Sequence, residues 1–191
     1  MRSKSYRWSP GPELVGTRGR IFEYVRAHPG IHVRRIGKEL SLAPGDIQYH
    51  LDILQRQGMI KMRRSGLHRF VFPSNIFGEM QETILSLLSL ETPREILLCL
   101  MQHPNLTQKE LAGLLKYSAP TVWWHIDRLL RLGVIGRTRR GKSVTYEVLA
   151  GRDDILRFVR YYHPSVWEKW AGRLSEIVMM LDSEQESRDG P

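Results

Sequence analysis

An internal repeat with an offset of 75 residues is the feature that most limits how this chain can fold. Segment 118–135, SAPTVWWHIDRLLRLGVI, has an earlier counterpart in segment 43–60, APGDIQYHLDILQRQGMI. Identical residues recur at this offset without a gap across both copies, among them the pairs His28/His103, Leu40/Leu115, His50/His125, Asp52/Asp127, Gly58/Gly133 and Gly66/Gly141. A repeat this regular predicts one supersecondary unit that occurs twice in the chain.

The first copy, residues 17–73, is predicted to contain three helices, a short strand and a hairpin. Apolar residues at helical spacing follow Thr17, and the sequence His-Pro-Gly at 28–30 ends that helix. A short strand at 31–33, a helix at 34–40 and the helix of segment 43–60 come next. Strands at 59–63 and 67–73 then form a hairpin around Gly66, where a positive φ is expected.

The second copy, residues 93–151, is predicted to repeat this order of elements. Thr92 is the predicted N-cap of its first helix, with Pro93 in the first turn and Glu95 three residues beyond the cap. Thr107 and Glu110 have the spacing of a capping box, which predicts the start of the second helix. Segment 118–135 supplies the third helix, and strands at 134–139 and 144–149 flank a turn at 140–143.

The segments between and before the copies differ from them in composition. Residues 1–16 are basic and aromatic, and they are interpreted either as a flexible arm or as an arm that folds onto a nucleic-acid backbone. Segment 74–92 has no basic residue and is predicted to be a linker helix that packs on both copies or binds a partner. The apolar residues expected on one face of this helix are Ile76, Met80, Ile84, Leu87 and Leu88.

The C-terminal region, residues 152–182, is predicted to form two helices followed by a polar tail at 183–191. The first helix is expected from Asp153 to Tyr162. The second carries apolar residues spaced 3, 4, 3, 4, namely Trp167, Trp170, Leu174, Ile177 and Leu181. This spacing is typical of helices that pack side by side. It is compatible equally with a homodimer and with packing on the chain's own linker helix.

Positive charge is concentrated on the two copies. The chain has a net charge of +9 and a pI near 10.0. Residues 1–73 carry 14 basic and 5 acidic side chains, and residues 93–151 carry 9 and 4. The linker, with 0 and 3, and residues 152–191, with 6 and 8, are acidic. This distribution indicates a polyanionic partner for the copies.

The order of elements in each copy, with the YHLDIL…GMI and WHIDRLL…GVI segments, resembles the winged helix-turn-helix fold of ArsR/MarR-type prokaryotic and archaeal transcriptional regulators. The resemblance covers about residues 20–73 and 93–149. It implies a mainly α fold with small β-hairpin wings (α+β), with two tandem winged helix-turn-helix domains plus linker and C-terminal helices. It also implies that the third helix of each copy enters a major groove of double-stranded DNA, while the wing lies beside the backbone.

Helical phase predicts which side chains of the third helices face DNA. In the second copy Val122, Ile126, Leu129 and Leu130 are expected to point inward, which leaves Trp124, Arg128 and Arg131 outward. In the first copy Tyr49, Ile53 and Arg56 are outward, with Asp46 beside them. Gln48, Trp123, His50 and His125 are expected at the flank of the core. Since Asp46 would repel phosphate or contact only a cytosine amino group, the second copy is interpreted as the base reader.

Basic residues also surround both predicted hairpin turns, a coincidence that favours phosphate contact. Together with the helices they give the predicted DNA-binding residues: Gln48, Tyr49, Arg56, Arg63, Arg64, Arg69, Ser118, Thr121, Trp123, Trp124, Arg128, Arg131, Arg137, Arg139, Arg140 and Lys142. The function that follows is a sequence-specific regulator of transcription that binds double-stranded DNA, with a homodimer through the C-terminal helix as one of the two alternatives for that helix.

The alternative is a tandem winged-helix interaction or scaffold protein without sequence-specific DNA binding, in which Tyr49, Trp124 and the acidic linker contact a protein. The chain has no Walker loop, HExxH or other enzyme signature, so it is predicted not to be an enzyme. With a single cysteine, Cys99, and scattered histidines, no metal or other cofactor is predicted. The absence of a signal core or long apolar run predicts a cytoplasmic protein without membrane contact.

Overall fold

A computed structural model describes residues 16–168 of the chain, with Arg140 described by its backbone. The elements of the first copy are α1 (Thr17–Ala27), β1 (Ile31–His32), α2 (Val33–Leu40), α3 (Pro44–Arg56), β2 (Ile60–Ser65) and β3 (His68–Pro73). The linker forms α4 (Glu79–Leu88). The elements of the second copy are α5 (Glu91–Gln102), β4 (Leu106–Thr107), α6 (Gln108–Leu115), α7 (Ala119–Arg131), β5 (Ile135–Arg140) and β6 (Ser143–Val148), and α8 (Arg152–Tyr162) follows.

The repeat is confirmed as a structural repeat. Apart from the first residue of α5, every element of the second copy has the bounds of its counterpart shifted by 75 residues. The described part of the chain divides into two compact units, with the boundary between Ile76 and Phe77. Each contains one three-stranded antiparallel sheet with the order β1-β3-β2 or β4-β6-β5, so the short strand pairs with the second strand of the wing.

The core of the first unit lies between its three helices and one face of its sheet. Ile21 and Val25 of α1, Ile36 of α2, and Leu51 of α3 are fully buried. They pack with Ile60 and Val71 of the wing. Because α3 contributes residues at intervals of three and four, one side of it is covered and the other remains at the surface.

The second unit combines the second copy with α4 and α8. On α4 the buried residues are Ile84, Leu85, Leu87 and Leu88, and this helix packs against α5 and α8. Phe77 and Phe158 meet edge to face at 5.8 Å between ring centroids. The predicted α8 is confirmed within one residue, beginning at Arg152.

Two predictions about α4 and α5 were wrong. Helix α4 begins at Glu79, so Ile76 lies outside it, and Ile76 and Met80 are exposed and not packed. Helix α5 begins at Glu91 after Leu90, so Thr92 lies within the first turn and is not the N-cap. Glu95 instead accepts a hydrogen bond of 2.7 Å from the Tyr117 hydroxyl, which removes it from any capping box.

The hairpin turns also differ from prediction, because β2 continues to Ser65 and the second hairpin's strands extend to Arg140 and Ser143. Ser65 pairs with His68 and Arg140 with Ser143, so each turn has two residues. The turn glycines Gly66 and Gly141 have φ of 60° and 62°. This left-handed conformation suits a tight hairpin turn and is accessible to glycine at little cost.

Candidate nucleic-acid interface

The recognition-helix candidate of the second unit is α7, whose start is fixed by its own sequence. Ser118 is the N-cap, with Oγ accepting a hydrogen bond of 3.3 Å from the Thr121 backbone N–H. Pro120 in the first turn does not destabilise the helix, because a backbone N–H at this position would have no acceptor within the helix. The side chains of Val122, Ile126 and Leu129 are buried, as predicted, whereas Leu130 is half-buried.

The opposite side of α7 presents two adjacent tryptophans. Trp124 is 52% exposed and Trp123 is 56% exposed. Trp123 therefore does not lie at the flank of the core as expected, since Leu130, the predicted inward residue nearest to it around the helix, is only half-buried. The Arg128 guanidinium lies 5.9 Å from the centroid of the Trp124 ring, a cation–π arrangement. Arg131 is exposed and forms an ion pair with Asp127 one turn earlier.

The equivalent surface of α3 is polar and is tied to the wing. Gln48 Nε2 donates a hydrogen bond of 2.6 Å to Asp52, and Gln48 Oε1 accepts one of 2.8 Å from Arg69 Nη1. Tyr49 is 62% exposed beside this chain of bonds. The spacing of Gln48 and Asp52, one helical turn, is visible in the sequence. The hydrogen bond between Gln48 and Arg69 joins residues 21 positions apart, and no pattern in the sequence predicts it.

The two wing tips have the same construction. Arg64 Nε donates to the Gly66 carbonyl at 3.3 Å, and Arg139 Nε donates to the Gly141 carbonyl at 3.3 Å. Each bond uses Nε, so it holds the guanidinium at the turn while the two Nη atoms remain to meet a phosphate. Arg64 and Arg139 are both exposed, as are Arg69, Arg137 and Lys142. The structure thus repeats a positively charged hairpin tip in each unit.

The wings differ in where their further charge lies. Paired positions of β2 and β3 share a face, and Arg64 with Arg69 continues the face that carries Val71. In the second wing the position of Arg69 is occupied by Val144, whereas Arg137 stands where the first wing has Met62. Each wing therefore carries a second arginine on this face. It is Arg69 on the second strand of the first wing and Arg137 on the first strand of the second wing.

The histidines of the recognition helices are half-buried. Burial and then the charge of Arg128 lower the pKa of His125, which favours the neutral form of the imidazole. Its ring meets Trp124 edge-on at 4.8 Å between centroids. Within the described residues no group of three or more His, Cys, Asp or Glu side chains is placed to hold a metal ion.

The predicted dimerisation stripe falls almost wholly outside the described residues. Trp167 is described, half-buried, with the Arg160 guanidinium 5.9 Å from its ring centroid. Trp170, Leu174, Ile177 and Leu181 lie beyond residue 168, as the basic arm lies before residue 16. Between these limits every helix is too short or too polar to cross a lipid bilayer.

Two family models match the chain, one on each copy. A model described as an N-terminal HTH domain matches residues 15–85, and a model described as a DNA-binding winged helix-turn-helix matches residues 90–135. With the element order and sheet pairing given above, these matches show two tandem winged helix-turn-helix domains in the chain. The fold is α+β, with helices predominating and antiparallel hairpins as wings.

One similar protein is described as a regulator of transcription. The HTH-type transcriptional regulator MJ1398 of Methanocaldococcus jannaschii, itself uncharacterised, is 28% identical over 145 residues, which are 76% of this chain and 36% of that protein. This chain thus spans about a third of the length of that relative.

Solved structures with a likeness to the chain include two regulators. A mutant of S. aureus MepR bound to an oligodeoxyribonucleotide has 18% identity and a TM-score of 0.36, covering 58% of this chain and 86% of that one. A MarR transcriptional regulator from Methanosarcina mazei Go1 has 16% identity and a TM-score of 0.37, covering 80% and 96%. The fold assignment rests on the elements and their pairing, not on these likenesses.

Proposed function

We propose that this chain is a transcriptional regulator that binds double-stranded DNA in a sequence-specific manner through both wings and both recognition helices. The observation that carries the proposal is the matched pair of wing tips, in which Arg64 and Arg139 make the same contact with a turn glycine. A basic hairpin tip beside a recognition helix is suited to phosphate contact next to a groove. Positive charge concentrated on the copies supports the same partner.

The two units are proposed to contact different parts of the DNA, the first its backbone and the second its bases. In the first unit the Asp52–Gln48–Arg69 chain of hydrogen bonds holds the helix and wing together, and Asp46 is exposed at the start of α3. This surface suits a grip on the DNA backbone through Arg63, Arg64 and Arg69. The second unit has no acidic residue in the first turn of α7, and we assign it the contacts with bases.

Salt dependence of binding tests the wing contacts. The variant Arg139→Gln with Lys142→Gln removes two charges from the second wing and leaves its turn glycine. If both contact phosphate, the slope of log K against log salt should become shallower by about 1.8, and at about 0.1 M salt affinity should fall about 60-fold. Fluorescence anisotropy with a labelled duplex over a range of salt concentrations measures both quantities.

A matched control removes two charges from the same unit away from the wing. Arg157→Gln with Arg160→Gln changes exposed positions on α8 and is expected to leave the slope nearly unchanged. If the wing and α8 variants behave alike, only net charge matters and the wing is not the contact. If neither affects binding because the chain does not bind duplex DNA, the alternative of a protein-interaction scaffold is supported instead.

Sequence specificity and symmetry require a separate measurement. Genome-wide occupancy of the chain in its own cells is expected to give a sharp motif with two half-sites. We also propose that the C-terminal stripe beginning at Trp167 forms a homodimer, which light scattering would detect as twice the mass of 22.3 kDa. A monomer at all concentrations would exclude the dimer without affecting the DNA contacts.

A further inference from the structure

The first two turns of α7 expose a surface with little hydrogen-bonding capacity. Its exposed residues are Ala119, Pro120, Thr121, Trp123 and Trp124. The two tryptophans are each more than half exposed, which is unusual for such large apolar side chains. At the corresponding positions of α3 the chain has Gln48 and Tyr49, so the pair of indoles is particular to the second unit.

The polar side chains around these tryptophans already have partners within the helix. Ser118 Oγ accepts from the Thr121 backbone, and the two hydroxyl oxygens lie 2.7 Å apart. Asp127 is engaged with Arg131. Arg128 lies over the Trp124 ring. The first two turns of the helix therefore offer few donors and acceptors to the edges of stacked base pairs.

Reading an intact major groove depends on such donors and acceptors. Base edges are recognised there mainly by arginine, lysine, asparagine and glutamine side chains. Aromatic rings are the groups that bind the faces of bases, and a base exposes its face only when it leaves the stack. The exposed indole rings in the first two turns of α7 therefore fit unstacked bases better than stacked base pairs.

We propose that Trp123 and Trp124 bind unpaired bases, so that the second unit recognises a locally opened segment of DNA next to the duplex held by the wings. This inference rests on the proposed function and specifies the DNA that the second recognition helix takes. Arg128 supports it, because a guanidinium on an indole ring adds a cation to a stacking platform. The exposed Arg137, Arg139 and Lys142 of the same unit supply charge complementary to a phosphate backbone.

The charge around the tryptophans favours DNA over a protein or a second copy of the chain as the occupant. Interfaces with nucleic acids carry much more positive charge than interfaces between proteins. Here arginines flank the pair on the helix, and the nearby wing is basic. Each stacked base is expected to add about 5- to 150-fold to affinity.

The experiment compares affinity for a perfect duplex with affinity for the same duplex containing a central thymine bubble. The wild-type chain is expected to bind the bubble at least about 5-fold more tightly, as the lower bound for one stacked base. Trp124→Leu and Trp123→Gln, the latter taken from the first unit, are expected to bring this ratio towards one. Trp124→Tyr keeps an aromatic ring and is expected to retain most of the preference.

A wing variant separates this inference from the proposed function. Arg139→Gln with Lys142→Gln should weaken binding to both DNAs together and preserve their ratio. A ratio near one in the wild type, or tryptophan variants that weaken both DNAs equally, would overturn the inference while leaving duplex binding intact. Binding of neither DNA would overturn the proposed function as well. Circular dichroism of each variant establishes that α7 remains folded, and a change of oligomeric mass in Trp124→Leu would point to self-association and count against the proposal.

Discussion

A methyl group added at Gly37 of α2 would collide with the recognition helix of the first unit. The Cβ of an alanine there would stand 2.4 Å from Ile47 Cδ1, whereas ordinary contacts begin at 3.4 Å. The other near atoms, Leu42 O at 3.4 Å and Ile47 Cγ1 at 3.9 Å, are compatible with a methyl group. The conflict is therefore confined to one terminal carbon of Ile47.

The repeat indicates how this conflict is resolved. The second unit has Ala112 and Val122 at the positions of Gly37 and Ile47, so a larger residue on the second helix goes with a smaller one on the third. Val lacks the Cδ1 atom that the added methyl group would strike. We therefore expect Gly37→Ala and Ile47→Val to compensate each other.

The expected energies come from overpacking and helix propensity. Gly37→Ala should cost about 1–3 kcal/mol through overpacking and recover about 1 kcal/mol of helix propensity, since Gly37 is within α2. Ile47→Val alone should cost about 0.5–1.5 kcal/mol through lost burial. The double variant should be close to the wild type, which corresponds to a coupling energy with a magnitude of about 1–3 kcal/mol, the relieved overpacking term.

Urea unfolding of the full chain is monitored by hydrogen exchange in peptides from α2 and α3. This measures the free energy of unfolding of the first unit. Peptides from α6 and α7 serve as an internal reference because that unit is unchanged. Additivity of the two substitutions within about 0.5 kcal/mol would refute the steric argument.

Two further predictions concern the elements that precede the recognition helices. Thr107→Ala removes the capping box confirmed at α6, in which Thr107 Oγ1 accepts from the Glu110 N–H, and should cost about 1 kcal/mol in thermal unfolding, while Thr107→Ser should cost much less. In the first unit burial, followed by the charges of His68, Arg35 and Arg34, lowers the pKa of His32, so the folded chain takes up a proton less readily than the unfolded chain. The stability contribution of neutral His32 should therefore be fully present above about pH 6.5 and be lost as the pH falls through the folded pKa of His32. This loss should be less steep in His68→Asn. A midpoint of urea unfolding that does not change over this pH range would contradict the role given to His32.

The sequence predicted the elements of both units because local signals and the repeat agreed. Thr107 and Glu110 predicted the start of α6, and Gly66 and Gly141 predicted the two hairpins within a residue or two. Each of these signals acts through neighbouring backbone groups, so it can be recognised without knowing the tertiary structure. The winged helix-turn-helix fold followed from this order of elements.

Predictions failed where packing decided the outcome. Threonine is a common N-cap residue, but α5 begins before Thr92. Glu95 accepts a hydrogen bond from Tyr117, which lies 22 residues away in the sequence. Ile76 and Met80 have helical spacing, but α4 begins after Ile76 and buries its later turns against α5 and α8. Periodicity gives the relative orientation of side chains and does not give the limits of the surface that covers them.

The sequence alone determined that this chain has two similar units, each with a third helix and a basic wing, because these properties follow from spacing and charge. Tertiary structure decided which side chains of those helices remain available. It turned Trp123 outward beside Trp124 and joined Gln48 to Arg69 of the wing, and it set Arg64 and Arg139 against their turn glycines. These contacts link residues whose relative positions depend on how helix and hairpin pack together.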